Sequence, residues 1–177
     1  MFSIRLRRRT KGVKMAGNAR RLEGDYRELR ESFDADPLVQ IMPLGTAPFD
    51  KYRIAYIGVP SLRQNQKGQP MRVDSTVVDL TLPAGYPKLP PIAKTAGGDI
   101  VFHPNFNAEK ICIADFWSPG FRLVDVVRKI GAMLQYTDYN IESPLNFVAA
   151  AWTQEHLHEL PLANHSFGTG SVDVELS

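Results

Sequence analysis

The chain has one cysteine, Cys112. That excludes an internal disulfide and fits a reducing compartment, so a cytoplasmic location is expected. No apolar run approaches the roughly 20 residues a membrane-spanning helix needs, so no membrane partner is expected. There is no glycine-rich phosphate loop, dinucleotide fingerprint or Gly-x-Ser-x-Gly elbow. His156 and His158 stand two apart with no second cysteine or acidic cluster beside them, a poor ligand set for zinc. The chain is therefore expected to use no metal and no cofactor. A formal charge of +2 is too balanced to imply nucleic-acid binding.

That small net charge conceals a local excess. Arg5, Arg7, Arg8, Arg9, Lys11 and Lys14 crowd the first segment with no acid among them. The simplest reading is a solvated, flexible arm over residues 1–17. An organelle presequence and a basic contact arm are the sharper alternatives, with Met15 as an internal start. The segment has no apolar core of secretory type.

Periodicity organises the rest. Leu22, Tyr26, Leu29 and Phe33 recur on one face of a 3.6-residue period, predicting a helix from Asn18 to Phe33. Asp36-Pro37 closes it, because proline disfavours helical backbone in the residue before it. Strands are predicted at Leu38 to Met42, Tyr52 to Ile57 (closing at Gly58-Val59-Pro60), Thr76 to Leu82 and Ile100 to Phe102. The turn-forming Gly45, Pro48, Gly68 and Pro70 between them fit antiparallel hairpins. Gly85 to Pro91 is too rich in proline to enter a sheet and should form an extended strap anchored by Tyr86. A second helix fits Leu123 to Tyr136. Pro144 should open a third, capped by Ser143 and packed through Val148, Ala149, Trp152 and Leu157. The segment from Asn164 reads as a flexible extension. Helix, then strands, then helices is an α+β order with an antiparallel sheet. The domain is expected over residues 18–160, with a C-terminal extension over 161–177.

Chemistry concentrates between Phe102 and Gly120. Cys112 lies in a polar stretch with Asn107, Glu109 and Lys110, flanked by Ile111 and Ile113 that can tuck inward and leave the sulfur facing out. A thiol is the side-chain nucleophile least in need of a base. The amide of Asn105 can fix its own turn or donate to the oxyanion of a tetrahedral intermediate at Cys112. His103, next to Pro104, suits a bond to backbone better than proton transfer.

Taken together, these motifs resemble the core of the ubiquitin-conjugating enzymes. The matching residues are Tyr86-Pro87 with Pro90-Pro91, Phe102-His103-Pro104-Asn105, Ile111-Cys112, Trp117-Ser118-Pro119, and Ser143-Pro144-Leu145-Asn146 with Ala149-Ala150. Gly58-Val59-Pro60 and the basic first helix agree in order, and the likeness spans roughly Arg20 to Glu159. The resemblance implies a UBC-like fold: an N-terminal helix, a four-stranded antiparallel meander, an active-site loop, then two or more helices. It implies that Cys112 accepts ubiquitin or a ubiquitin-like modifier from an activating enzyme as a thioester. A lysine of a protein substrate then attacks, with or without a ligase. It places Asn105, Ser143 and His103 with Cys112 in the catalytic set, Ser143 at the gate met by the incoming lysine. Arg20 and Arg21 fall on the helix that meets the activating enzyme.

Two spacings depart from the common family pattern. Cys112 follows Asn105 by seven residues, one fewer than usual, and only Ile113 to Phe116 separate it from Trp117. The loop is trimmed, which suggests a divergent and bacterial branch and leaves Asp115 or Asp138 to supply an acidic group. The competing reading is a catalytically inactive variant that binds modifier or partner proteins through the same fold.

Overall fold

A computed structural model describes residues 15–114 and 116–168. The basic residues Arg5 to Lys14, Asp115 and the weakly alternating Val172 to Leu176 lie outside the described residues.

The first helix, α1 (Met15–Phe33), starts three residues before the predicted point. Leu22, Leu29 and Phe33 are buried along its inner face, as the period requires. Four strands follow, β1 (Val39–Leu44), β2 (Lys51–Gln64), β3 (Pro70–Thr81) and β4 (Ile92–Thr95). They pair antiparallel in the order β1-β2-β3-β4, a meander. Tyr52, Ile54 and Tyr56 alternate on β2 and are fully buried, and Val78 and Leu80 answer them from β3.

The strands differ from expectation in three places, the first being that β3 begins at Pro70 and not at Thr76. β2 does not close at Gly58-Val59-Pro60. It bulges there and resumes, because Gly58 takes a left-handed conformation (φ 71) and Pro60 has no N–H to lose. Between Ile57↔Ser75 and Ser61↔Val73, β2 uses three residues where β3 uses one. The fourth strand is Ile92–Thr95, directly after the double proline, and not Ile100 to Phe102. Ala93 and Thr95 point inward, and the pairing with Val78 to Thr81 completes the sheet. Ile100 to Phe102 instead bonds to the far end of β2, with Phe102 N–H donating to the Leu62 carbonyl at 2.8 Å. The strap is folded into turns, not extended: the N–H groups of Tyr86 and Leu89 donate to the Pro83 and Gly85 carbonyls. Tyr86 is buried as expected.

α2 (Leu123–Leu134) packs its Leu123, Val126, Val127, Ile130, Met133 and Leu134 into the core beneath β2. It ends two residues early because Tyr136 turns left-handed (φ 57) to bury its ring. α3 (Phe147–Glu155) starts later than Pro144. Asn146 is its cap, accepting from Ala149 N–H at 3.0 Å, and Ser143 is not. Its buried side is Ala149, Ala150 and Thr153, whereas Phe147 (76% exposed), Val148 and Leu157 face outward. The segment beyond Asn164 is docked as far as Gly168. Phe167 is buried against Tyr56, its carbonyl accepts from Arg128 Nε at 3.0 Å, and Gly168 N–H donates to Asp36. Gln135, at the end of α2, adds two bonds to the His165 backbone.

Candidate functional site

The stretch from Asn105 to Cys112 is a small hairpin. Phe106 and Ile111 bridge, and Asn107 turns the tip by accepting from Glu109 and Lys110 N–H at 2.9 and 2.8 Å. Cys112 N–H donates to the Asn105 carbonyl at 2.9 Å. The trimmed spacing is therefore a closed ladder that sets Asn105 beside Cys112. Ile111 N–H donates to the Ala93 carbonyl of β4, fixing the hairpin to the sheet.

Ile111 and Ile113 are buried and Cys112 is half-buried, which leaves the thiol at the surface near the Ala114 carbonyl. Asn105 is buried with its amide engaged at both ends. Nδ2 donates to the Asn140 carbonyl at 2.9 Å, and Oδ1 accepts from Asn140 N–H at 2.7 Å. The geometry is the turn-fixing one. Asn140 Oδ1 in turn accepts from the N–H groups of Glu142 and Ser143. The Pro104 carbonyl accepts from Leu145 and Asn146 N–H at 2.8 and 2.9 Å. Ser143 is thus exposed on a loop sewn to the His103-Pro104-Asn105 turn.

His103 is fully buried. Its Nδ1 accepts from Asn105 N–H at 3.0 Å, and its ring packs edge-on against Phe106 and Tyr136. Burial lowers its pKa from 6.5 to about 3, with the Asp138 backbone opposing that shift. The ring is thus buried and bonded to backbone, the arrangement its place beside Pro104 suited. Tyr136 donates its hydroxyl to the Phe102 carbonyl, closing the same turn from below.

Arg20 is exposed on α1. Arg21, expected to meet a partner, is spent inside the molecule. Its guanidinium reaches both oxygens of Asp25 (3.0 and 2.9 Å), the Tyr86 hydroxyl (3.0 Å), and the carbonyls of Pro119 (2.8 Å) and Phe121 (2.6 Å). Asp138 ion-pairs with Lys129 at 2.6 Å. Among the described residues no three His, Cys, Asp or Glu side chains gather as metal ligands, and no helix is long and apolar enough to cross a membrane.

Sequence reasoning missed Asn140, the capping role of Asn146, and Phe116 and Phe121 after the thiol. An asparagine three residues before Ser143-Pro144 is a turn signal that could have marked Asn140. Phe116 is 72% exposed, and Trp117 packs edge-on with Phe121 while donating Nε1–H to the Pro87 carbonyl at 2.9 Å. A groove of about 410 Å³ opens here, lined by Ile113, Ala114, Trp117, Phe121 and Val126 together with the charged Arg122, Asp125 and Lys129.

The class this defines is an α+β protein of UBC-like fold: N-terminal helix, four-stranded antiparallel meander, then C-terminal helices. No family model matches the chain. A ubiquitin conjugating enzyme E2 B of Dictyostelium discoideum is similar to it, 34% identical over 86 residues, which are 46% of this chain and 55% of the relative. The chain spans about half the length of the curated relative it matches. That similarity supports kinship with the ubiquitin-conjugating enzymes at the level of family.

Proposed function

We propose that the protein is a divergent ubiquitin-like conjugating enzyme. Cys112 takes the C-terminal carboxyl of ubiquitin or a ubiquitin-like modifier from an activating enzyme as a thioester. A lysine amine of a protein substrate then attacks the thioester carbonyl, the thiolate leaves, and an isopeptide bond remains. The observation that carries this reading is the surface thiol of Cys112, whose backbone N–H is tied to the Asn105 carbonyl across an eight-residue hairpin. The protein's part is mainly positioning, worth several kcal/mol when reacting groups are held in place. Desolvation on approach favours the attacking amine in its neutral, nucleophilic form, since burial disfavours the charged one. Ser143, on the loop sewn to Asn105, stands at the gate for that amine, and Arg20 belongs to the surface that meets the activating enzyme. The setting is a reducing cytoplasm, in a bacterial conjugation operon, with a ligase joining where target choice demands it.

One observation favours a second reading. The Asn105 amide is committed to Asn140, as it would be in a modifier-binding module without catalysis. Mixing the protein with activating enzyme, ATP and modifier separates the two. A carrier gives an adduct that reducing agent cleaves and that Cys112→Ala abolishes. If modifier binds equally to wild type and Cys112→Ala and no such adduct forms, the binding module stands and the carrier does not.

A further inference from the structure

Arg21 carries more bonds than any other side chain near the thiol, and all of them stay within the chain. Asp25 takes the Nε–H with both oxygens and is itself 4% exposed. Tyr86 packs its ring 5.2 Å from the guanidinium carbon, accepts from Nη2, and donates its own hydroxyl to Asp25 at 2.6 Å. The remaining N–H groups close on the Pro119 and Phe121 carbonyls, on the turn that follows Cys112. A planar fork with five donors can satisfy this set at once, and a lysine ammonium cannot. The turn it grips is tied to the strap by Trp117, whose Nε1–H donates to the Pro87 carbonyl. Only Ile113 to Phe116 join that turn to Cys112.

We propose that Arg21 is a positioning residue for Cys112, setting the loop that leaves the thiol by reference to α1. The inference rests on the reading of Cys112 as the acyl carrier, but its first test does not. Its place on α1, beside the exposed Arg20, means that a partner gripping this helix presses on the thiol loop through one guanidinium.

The test compares wild type with Arg21→Lys and Tyr86→Phe, the second leaving the ring in the core should the first fail to fold. Arg27→Ala, an exposed change on the same helix, is the control. Alkylation of Cys112 by iodoacetamide is followed across pH, together with amide exchange of residues 117–122. The expected result is exchange faster by about tenfold in that turn with β2 and β3 unchanged. The alkylation rate should also shift by about threefold or more, as a displaced reacting group implies. Faster exchange with an unaltered thiol profile, or no change in either, overturns the proposal. In modifier loading, Arg21→Lys should lower kcat and leave KM for the activating enzyme in place. A raised KM with unchanged kcat means that Arg21 meets the partner directly and also overturns it. If wild type never loads while alkylation still responds to Arg21→Lys, the carrier reading fails and the positioning role survives.

Discussion

Asn105 and Asn140 are locked together by two hydrogen bonds. The side chain of the first pairs with both backbone groups of the second, at 2.9 and 2.7 Å. Asn105 thus imitates a strand partner for a segment 35 residues away and carries the Ser143 loop to the thiol. Substituting it tests structure and chemistry together.

Asn105→Ala removes both of its side-chain hydrogen bonds to the Asn140 backbone. A loss of about 2–4 kcal/mol in unfolding free energy is expected from those two bonds, read from a denaturant midpoint. Transfer from Cys112 to lysine should fall by more than the destabilisation alone produces at saturating folded protein. If the amide also serves the oxyanion, the loss reaches about 10²–10³ in rate. Single-turnover discharge of the loaded protein is the measurement.

His103 makes stability depend on acid. Its pKa is lowered to about 3 in the folded protein, against about 6.5 when unfolded. Between these values the unfolded chain binds the extra proton, so stability rises with pH. The contribution is fully present above about pH 6.5 and is lost as pH falls toward 3. In His103→Gln, urea midpoints between about pH 4 and 7 should vary less than in wild type. An equally steep pH dependence in the variant would place the acid sensitivity elsewhere.

Gly131 lies inside α2, where alanine ordinarily stabilises a helix by about 1 kcal/mol. Here a Cβ would meet the Phe167 ring at 2.5 Å. Gly131→Ala should therefore lose about 1–3 kcal/mol, as overpacked sites do. In Phe167→Ala the same glycine substitution should become neutral or favourable. A thermal-melt double-mutant cycle reads the coupling.

The outer face of α3 can be tested by two adjacent residues. Val148 is 65% exposed and Ala149 is fully buried. Val148→Lys should change stability by no more than about 0.5 kcal/mol. Ala149→Val should cost about 1–3 kcal/mol against the Phe102 and Tyr136 cluster. A comparable cost at Val148 would restore the packing face read from the sequence, which held both residues.

Local patterns in the chain determined the parts that depend on few residues. The 3.6-residue periods of α1 and α2 and the alternation on β2 follow from one buried face each, and they are legible at once. So is the surface placement of the Cys112 thiol, because two inward-facing isoleucines flank it in a polar stretch. Tertiary structure alone decided the rest, for one physical reason. A polar group of fixed chemistry takes whichever partner burial brings to it, and that partner is often remote in sequence. Arg21 reads as a surface charge until Tyr86, Pro119 and Phe121 close on it. Asn105 reads as a turn residue or an oxyanion donor, and only the fold brings Asn140 to its amide. The short helix α3 has too few turns for its period to declare a face, so the packing of Ala149 against Phe102 chose one. The strand after Pro90-Pro91 is four residues long and acquires its identity from the free edge of β3.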